Sequence, residues 1–201
     1  MADLGYFSIL LALALSLYAA LLSFMGARRH LPELVLSARN AIYATLGVLT
    51  VATFALAYAF LTHDFSIEYV ASYSSRDMST LYTLASFWAG SEGSLLFWAW
   101  TMAIFAAILA YHNRGPGKPL IPYAFAVIMA TEAFFILLMA FVTNPFDKLD
   151  FMPADGRGLN PLLENMGMFF HPPTLLLGYM GFTFPFAFAI AALATRNLGS
   201  E

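Results

Sequence analysis

The chain has 201 residues, 61% of them hydrophobic and only 10% charged, with a formal net charge of −3. A soluble domain of that length needs far more polar surface, so the composition excludes one and places the chain in membrane lipid. The slight acidic balance also leaves no basic patch for a nucleic acid.

A hydrocarbon core of about 30 Å is spanned by about 20 helical residues. Five runs meet that need: Leu4–Met25, Ala41–Leu61, Ser94–Tyr111, Leu120–Val142 and Thr174–Ala194. They predict an all-α, polytopic integral membrane protein. Residues 1–201 form one module with about five transmembrane helices and two long outer loops.

The first run follows Asp3 and has no Lys or Arg before it, so it lacks the basic start of a secretory signal and is expected to remain as a helix. Placing the Arg28–Asn40 connection in the cytoplasm also puts His112–Pro119 and the C-terminal end there. This side then holds Arg28, Arg29, Arg39, Arg114, Lys118 and Arg196, against Arg76, Lys148 and Arg157 outside. The asymmetry predicts an outer N-terminus and an inner C-terminus. His30 and His112 then fall at a polar inner boundary, and His63 borders the outer end of the second span.

The connection after the second run, about Thr62–Gly93, is too aromatic and apolar for a disordered linker. Ser79 stands where it can cap a short helix carrying Leu81, Leu84, Ala85 and Trp88 on one face, predicted to lie along the membrane surface. "WAGSEGSLLFWAW", residues 88–100, turns into the third span. Gly90 and Gly93 allow tight backbone, Ser91 or Ser94 can cap the helix amides, and Glu92 suits the positive end of the helix dipole. Trp88 and Trp98 are expected at the outer interface, with Trp100 deeper on another face. An aromatic belt and a stacking wall for a flat ligand both fit them.

Glu132 lies near the middle of the fourth span, where an acidic side chain costs about 2.5–3.5 kcal/mol unless protonated or paired. A neutral carboxyl bonded to a neighbouring helix, in a structural helix-packing module, explains it. A proton-coupled or solute-transport subunit is the rival reading, and it lacks a second intramembrane carboxylate and the internal repeat expected of a transporter.

In the second outer loop, Lys148 and Arg157 stand among turn-forming Asn, Asp, Gly and Pro, free to pair with the neighbouring aspartates or with an acidic group of a ligand. The loop ends in "GMFFHPPTLLLGYMGF". Pro172 disfavours helical geometry at His171, and Pro173 does the same at Pro172. The imidazole is therefore predicted on an extended, stiff backbone ahead of the fifth span, the prolines entering its first turn. Among Met168, Phe169 and Phe170, such an imidazole suits an axial ligand to heme iron, and an ordinary helix-start histidine fits as well. Gly178, Gly181 and Pro185 predict a closely packed, kinked fifth helix. The chain has no cysteine, hence neither a disulfide nor a C-x-x-C-H heme attachment of its own.

"WAGSEGSLLFW" and the block "NPFDKLDFMPADGRGLNPLLENMGMFFHPPTLLLGYMGFTFPFAFAIAAL" resemble the N-terminal part of the CcmF family of cytochrome c-type biogenesis proteins, the heme-lyase component of the bacterial system I pathway. With the spans between them, the two blocks cover most of the chain. The resemblance implies a multi-pass protein of the bacterial cytoplasmic membrane with a periplasmic N-terminus. It implies substrate heme b accepted from a periplasmic heme chaperone and thioether attachment to apocytochrome c, alongside the proteins that reduce and present its thiols.

By the same resemblance His171 is one of two periplasmic axial ligands to the heme iron. Trp88, Trp98, Phe169 and Phe170 are then expected to shape an apolar wall, and Arg157 to meet a propionate. The family's tryptophan-rich "WWD" segment, the second periplasmic histidine and the histidines of a membrane-embedded heme have no counterpart in this sequence. The resemblance therefore implies one part of a heme lyase, not active alone and completed by a C-terminal portion or chain.

Overall fold

The structure is a computed structural model describing residues 1–115 and 118–196. Part of the predicted His112–Pro119 connection and the last five residues lie outside the described residues. The helices are α1 (Ala2–Arg29), α2 (Pro32–Leu61), α3 (Glu68–Tyr73), α4 (Thr80–Ala85), α5 (Ser91–His112), α6 (Leu120–Phe141), α7 (Met166–Gly181) and α8 (Thr183–Thr195). Single 3-10 turns occur at Ser86–Trp88 and Pro161–Leu163. Among the described residues five segments are long and apolar enough to cross a membrane: α1, α2, α5, α6 and the α7–α8 pair.

The spans agree in number with the hydropathy and differ at their ends. Most of the expected Arg28–Asn40 connection is helical; only His30, in the left-handed region at φ 56°, and Leu31 separate α1 from α2. Pro32 occupies the first turn of α2, where its missing amide costs nothing. Hydropathy marks only the stretch inside lipid, whereas both helices run on into the polar zone, where Arg and Asn side chains reach water.

The fifth span begins at Met166 rather than Thr174, and Pro172 and Pro173 lie inside α7. His171 is therefore helical, not extended as predicted. The break comes later, at Phe182, and Pro185 falls in the first turn of α8. Two amides are lost at the prolines, those that would serve the Met168 and Phe169 carbonyls. The Thr174 hydroxyl, 2.9 Å from the carbonyl oxygens of both Phe170 and His171, braces the turn that follows.

Helix α1 packs against α2 and α6, α2 against α5, and α6 against α5 and α8. Small residues at the contacts, among them Ala12, Ala52, Ala59, Ala99 and Ala106, are buried and bring the backbones close. Leu49, Leu56, Leu96, Phe125 and Ile128 fill the interior. Phe54, Phe105, Phe134 and Leu193 are exposed on the outside, as a lipid-facing surface requires.

At one end of the bundle the two long loops pack on each other. The Glu68 amide donates to the Asp147 carbonyl at 2.8 Å, the Leu149 amide to Ser66 at 2.9 Å, and the Arg157 amide to Ala71 at 2.7 Å. Lys148 meets Asp3 at 2.7 Å, tying this cap to the start of α1. Ser79 does stand at the N-cap of α4, without a side-chain capping bond. The expected surface helix is instead part of the cap: Thr83, Ala85 and Phe87 are buried while Leu81 is exposed, because α4 docks on α2.

Candidate heme-facing site

Tyr69, on α3, organises the turn before α5. Its hydroxyl lies 3.1 and 3.0 Å from the carbonyl oxygens of Ser86 and Phe87 and accepts the Gly90 amide at 3.0 Å. Burial pushes this phenol well above its ordinary range, so it stays a neutral donor. A Cβ at Gly93 would run into the Phe87 carbonyl, which explains that glycine of the WAGSEG stretch. Neither serine caps α5 as expected: the Ser91 hydroxyl turns to Glu92, and the Ser94 hydroxyl donates to the Trp88 carbonyl at 3.0 Å.

That pinned turn aims Trp88 at the start of α7. Its indole Nε1 donates to the Met168 carbonyl at 2.9 Å. Its ring meets Phe169 edge-on at 5.9 Å between centroids and Phe97 at 6.1 Å, and Phe169 stands perpendicular to Phe170 at 5.3 Å. His171 follows Met168 by one turn and is exposed, as is Phe170. The structure thus gathers Trp88, Phe169 and Phe170 beside an accessible imidazole.

Two expected members stand elsewhere. Trp98, on α5, faces α6 and α7, stacked on Phe135 at 4.7 Å and parallel to Tyr179 at 6.3 Å, with its Nε1 buried and without a partner among the described residues. Tyr179 lies about 12 Å along α7 from His171. Arg157 lines a cavity of about 620 Å³ in the cap with Glu68, Tyr73, Glu92 and Asp147. Burial and the Glu92 charge push the Tyr73 phenol up. Arg157 therefore shares its space with carboxylates rather than with His171.

His30 ends α1, and His112 ends α5. His63 sits in a left-handed turn against Phe65. Among the described residues no group of three or more His, Cys, Asp or Glu could hold a metal ion. Glu132 is fully buried and both of its carboxyl oxygens lack a partner among the described residues, so the expected bond to a neighbouring helix is not made there. The indole of Trp100 reaches Thr50 on α2 at 3.0 Å. Neither the Tyr69 clamp nor the Trp88–Met168 bond is foreshadowed by a local pattern, since each joins residues far apart in sequence.

Fold and site together define a five-span helical membrane protein whose loop-bearing end sets a histidine beside an aromatic cluster. Residues 88–200 match the family described as cytochrome C assembly protein. The chain belongs to that family. It is 36% identical over 201 residues to the cytochrome c-type biogenesis protein CcmF of Haemophilus influenzae, covering 99% of this chain and 31% of that protein. It is 37% identical over 191 residues to the biogenesis protein ccl1 of Rhodobacter capsulatus, covering 95% and 29%. A solved structure, the cytochrome c heme lyase CcmF, superposes with a TM-score of 0.83 at 29% identity, covering 99% of this chain and 31% of that one. The chain thus spans about a third of the length of these relatives.

Proposed function

We propose that this chain supplies one wall of the heme-handling site of a bacterial cytochrome c heme lyase. The observation that carries the reading is the accessible His171 on α7, flanked by Phe170 and by the Trp88–Phe169 pair. A neutral imidazole offers iron a nitrogen lone pair, and a rigid aromatic wall fixes the macrocycle plane. The substrate is heme b, delivered by a periplasmic heme chaperone and joined through its vinyl groups to the cysteines of apocytochrome c, with thiol-reducing and thiol-presenting proteins as partners. Each thioether forms by addition of a cysteine S–H across a vinyl double bond. The chain's own contribution is to orient the heme, and no nucleophile or general base of its own is required.

Trp98 extends the apolar wall along α7, and Arg157 is the cation available to a propionate, with Glu92 and Asp147 competing for it. The loop-bearing end, including the N-terminus, faces the periplasm. Six of the nine cationic residues, at the opposite end or in the C-terminal segment, support that orientation. One histidine leaves the second axial position to another part of the lyase, so activity requires the two-thirds of the relatives' length not represented here. Glu132, without a second buried carboxylate beside it among the described residues, does not favour a transport role.

The test is to co-express the chain with the remaining lyase portion and the heme chaperone, purify the assembly, and compare heme spectra of wild type and His171→Ala. Loss or a clear shift of the heme bands at unchanged protein level is expected. An unchanged spectrum and heme content would refute the ligand role.

A further inference from the structure

Helical geometry assigns the Met168 carbonyl to the amide of residue 172, four positions on. Pro172 has no amide to give, and its ring crowds that same carbonyl. The oxygen is nevertheless satisfied: the indole Nε1 of Trp88, 80 residues earlier, donates to it at 2.9 Å. An indole anchoring the chain in the interface would turn its N–H to water. Here it substitutes for a missing helix amide.

We infer that Trp88 is a positioning residue for His171, acting through the carbonyl that Pro172 leaves without its helical donor. This rests on the ligand role proposed for His171; the hydrogen-bonded link stands apart from it. On one side of His171 the turn is held by Trp88, and on the other by the Thr174 hydroxyl, 2.9 Å from the carbonyl oxygens of Phe170 and His171. Trp88 is itself fixed, its carbonyl accepting from Ser94 at 3.0 Å and its ring lying between Phe97 and Phe169. The imidazole is thereby tied to the first turn of α5 rather than to the loop that precedes α7. Pro173 removes the amide that would serve Phe169, so α7 lacks two successive helical hydrogen bonds in the turn that holds His171.

The experiment is a double-mutant cycle on the full chain, using Trp88→Phe, Pro172→Ala and the pair, with unfolding measured without heme. The Pro172→Ala substitution restores an amide to the Met168 carbonyl, so the indole N–H becomes redundant. Trp88→Phe should raise the unfolding constant about fivefold with Pro172 present and less than about twofold in the Pro172→Ala background. Equal effects in both backgrounds overturn the link. Should Trp88→Phe fail to fold, exchange of the indole N–H in the unaltered protein decides: slow exchange supports the bond, and solvent-like exchange overturns it.

In the lyase assembled with its remaining portion, Trp88→Phe should weaken the His171-dependent heme bands, and the double variant should recover them. Coupling in stability with an unmoved spectrum overturns the positioning role and leaves a structural bond. A spectrum unmoved by His171→Ala overturns the ligand reading and the positioning role together. That outcome is distinguishable from failure of the link, because the heme-free cycle does not depend on heme.

Discussion

Gly93 meets the strictest local demand in the turn before α5. A methyl group there would strike the main-chain oxygen of Phe87, which cannot rotate away as a side chain can. Gly93→Ala should therefore destabilise the chain by about 1–3 kcal/mol or more, measured by thermal or denaturant unfolding in a membrane mimic. The glycines of the WAGSEG stretch were legible in sequence as turn formers. Their reason was not, because the Tyr69 hydroxyl that clamps the turn comes from 17 and 18 residues upstream and looks like any aromatic residue. The two serines were legible as capping candidates, yet their hydroxyls found nearer acceptors, which a sequence motif does not rank.

Among the helices, α7–α8 is the least buried of the five spans. A Cβ at Gly178 or Gly181 would meet no atom within 4 Å, so the close packing expected from these glycines is not made within this chain. Gly178→Ala should then leave the isolated chain as stable as before or more so, by up to about 1 kcal/mol, since alanine loses less backbone entropy in a helix. A loss of stability in the same unfolding measurement would show that Gly178 does meet a neighbouring helix. The existence of every span was legible because lipid forces unsolvated backbone into helix. The ends were less so: α2 begins well before its apolar run, and α7 begins ahead of its two prolines, where the Met168 carbonyl takes its donor from Trp88, which no local rule anticipates.

At the scale of the whole molecule, the cap is held by pairings between distant loops, and for that reason the hydropathy pattern shows neither its shape nor its cavity. Asp155 joins them: its carboxylate accepts the Arg76 amide at 3.0 Å and the Gly156 amide at 2.8 Å, and these bonds hold its carboxyl below the usual range. A depressed folded value means that the contribution is complete above the unfolded pKa of about 3.9 and is lost as pH falls through the lower folded one. Acidification below about pH 4 should accordingly speed exchange of the Arg76 and Gly156 amides, and Asp155→Asn should remove most of that dependence. His171 stood out in the sequence by its two following prolines, but its helical setting and its position one turn from the carbonyl that Trp88 meets came from contacts across some 80 residues. The order of helices around α1 has a further consequence, for synthesis. Since α1 lies between α2 and α6, the α1–α2 hairpin can form as soon as both are made, whereas the second flank of α1 stays uncovered until the ribosome has passed Phe141. Bundle closure is thus a late, non-local event, although α5 can dock on α2 before the helix that follows it is made.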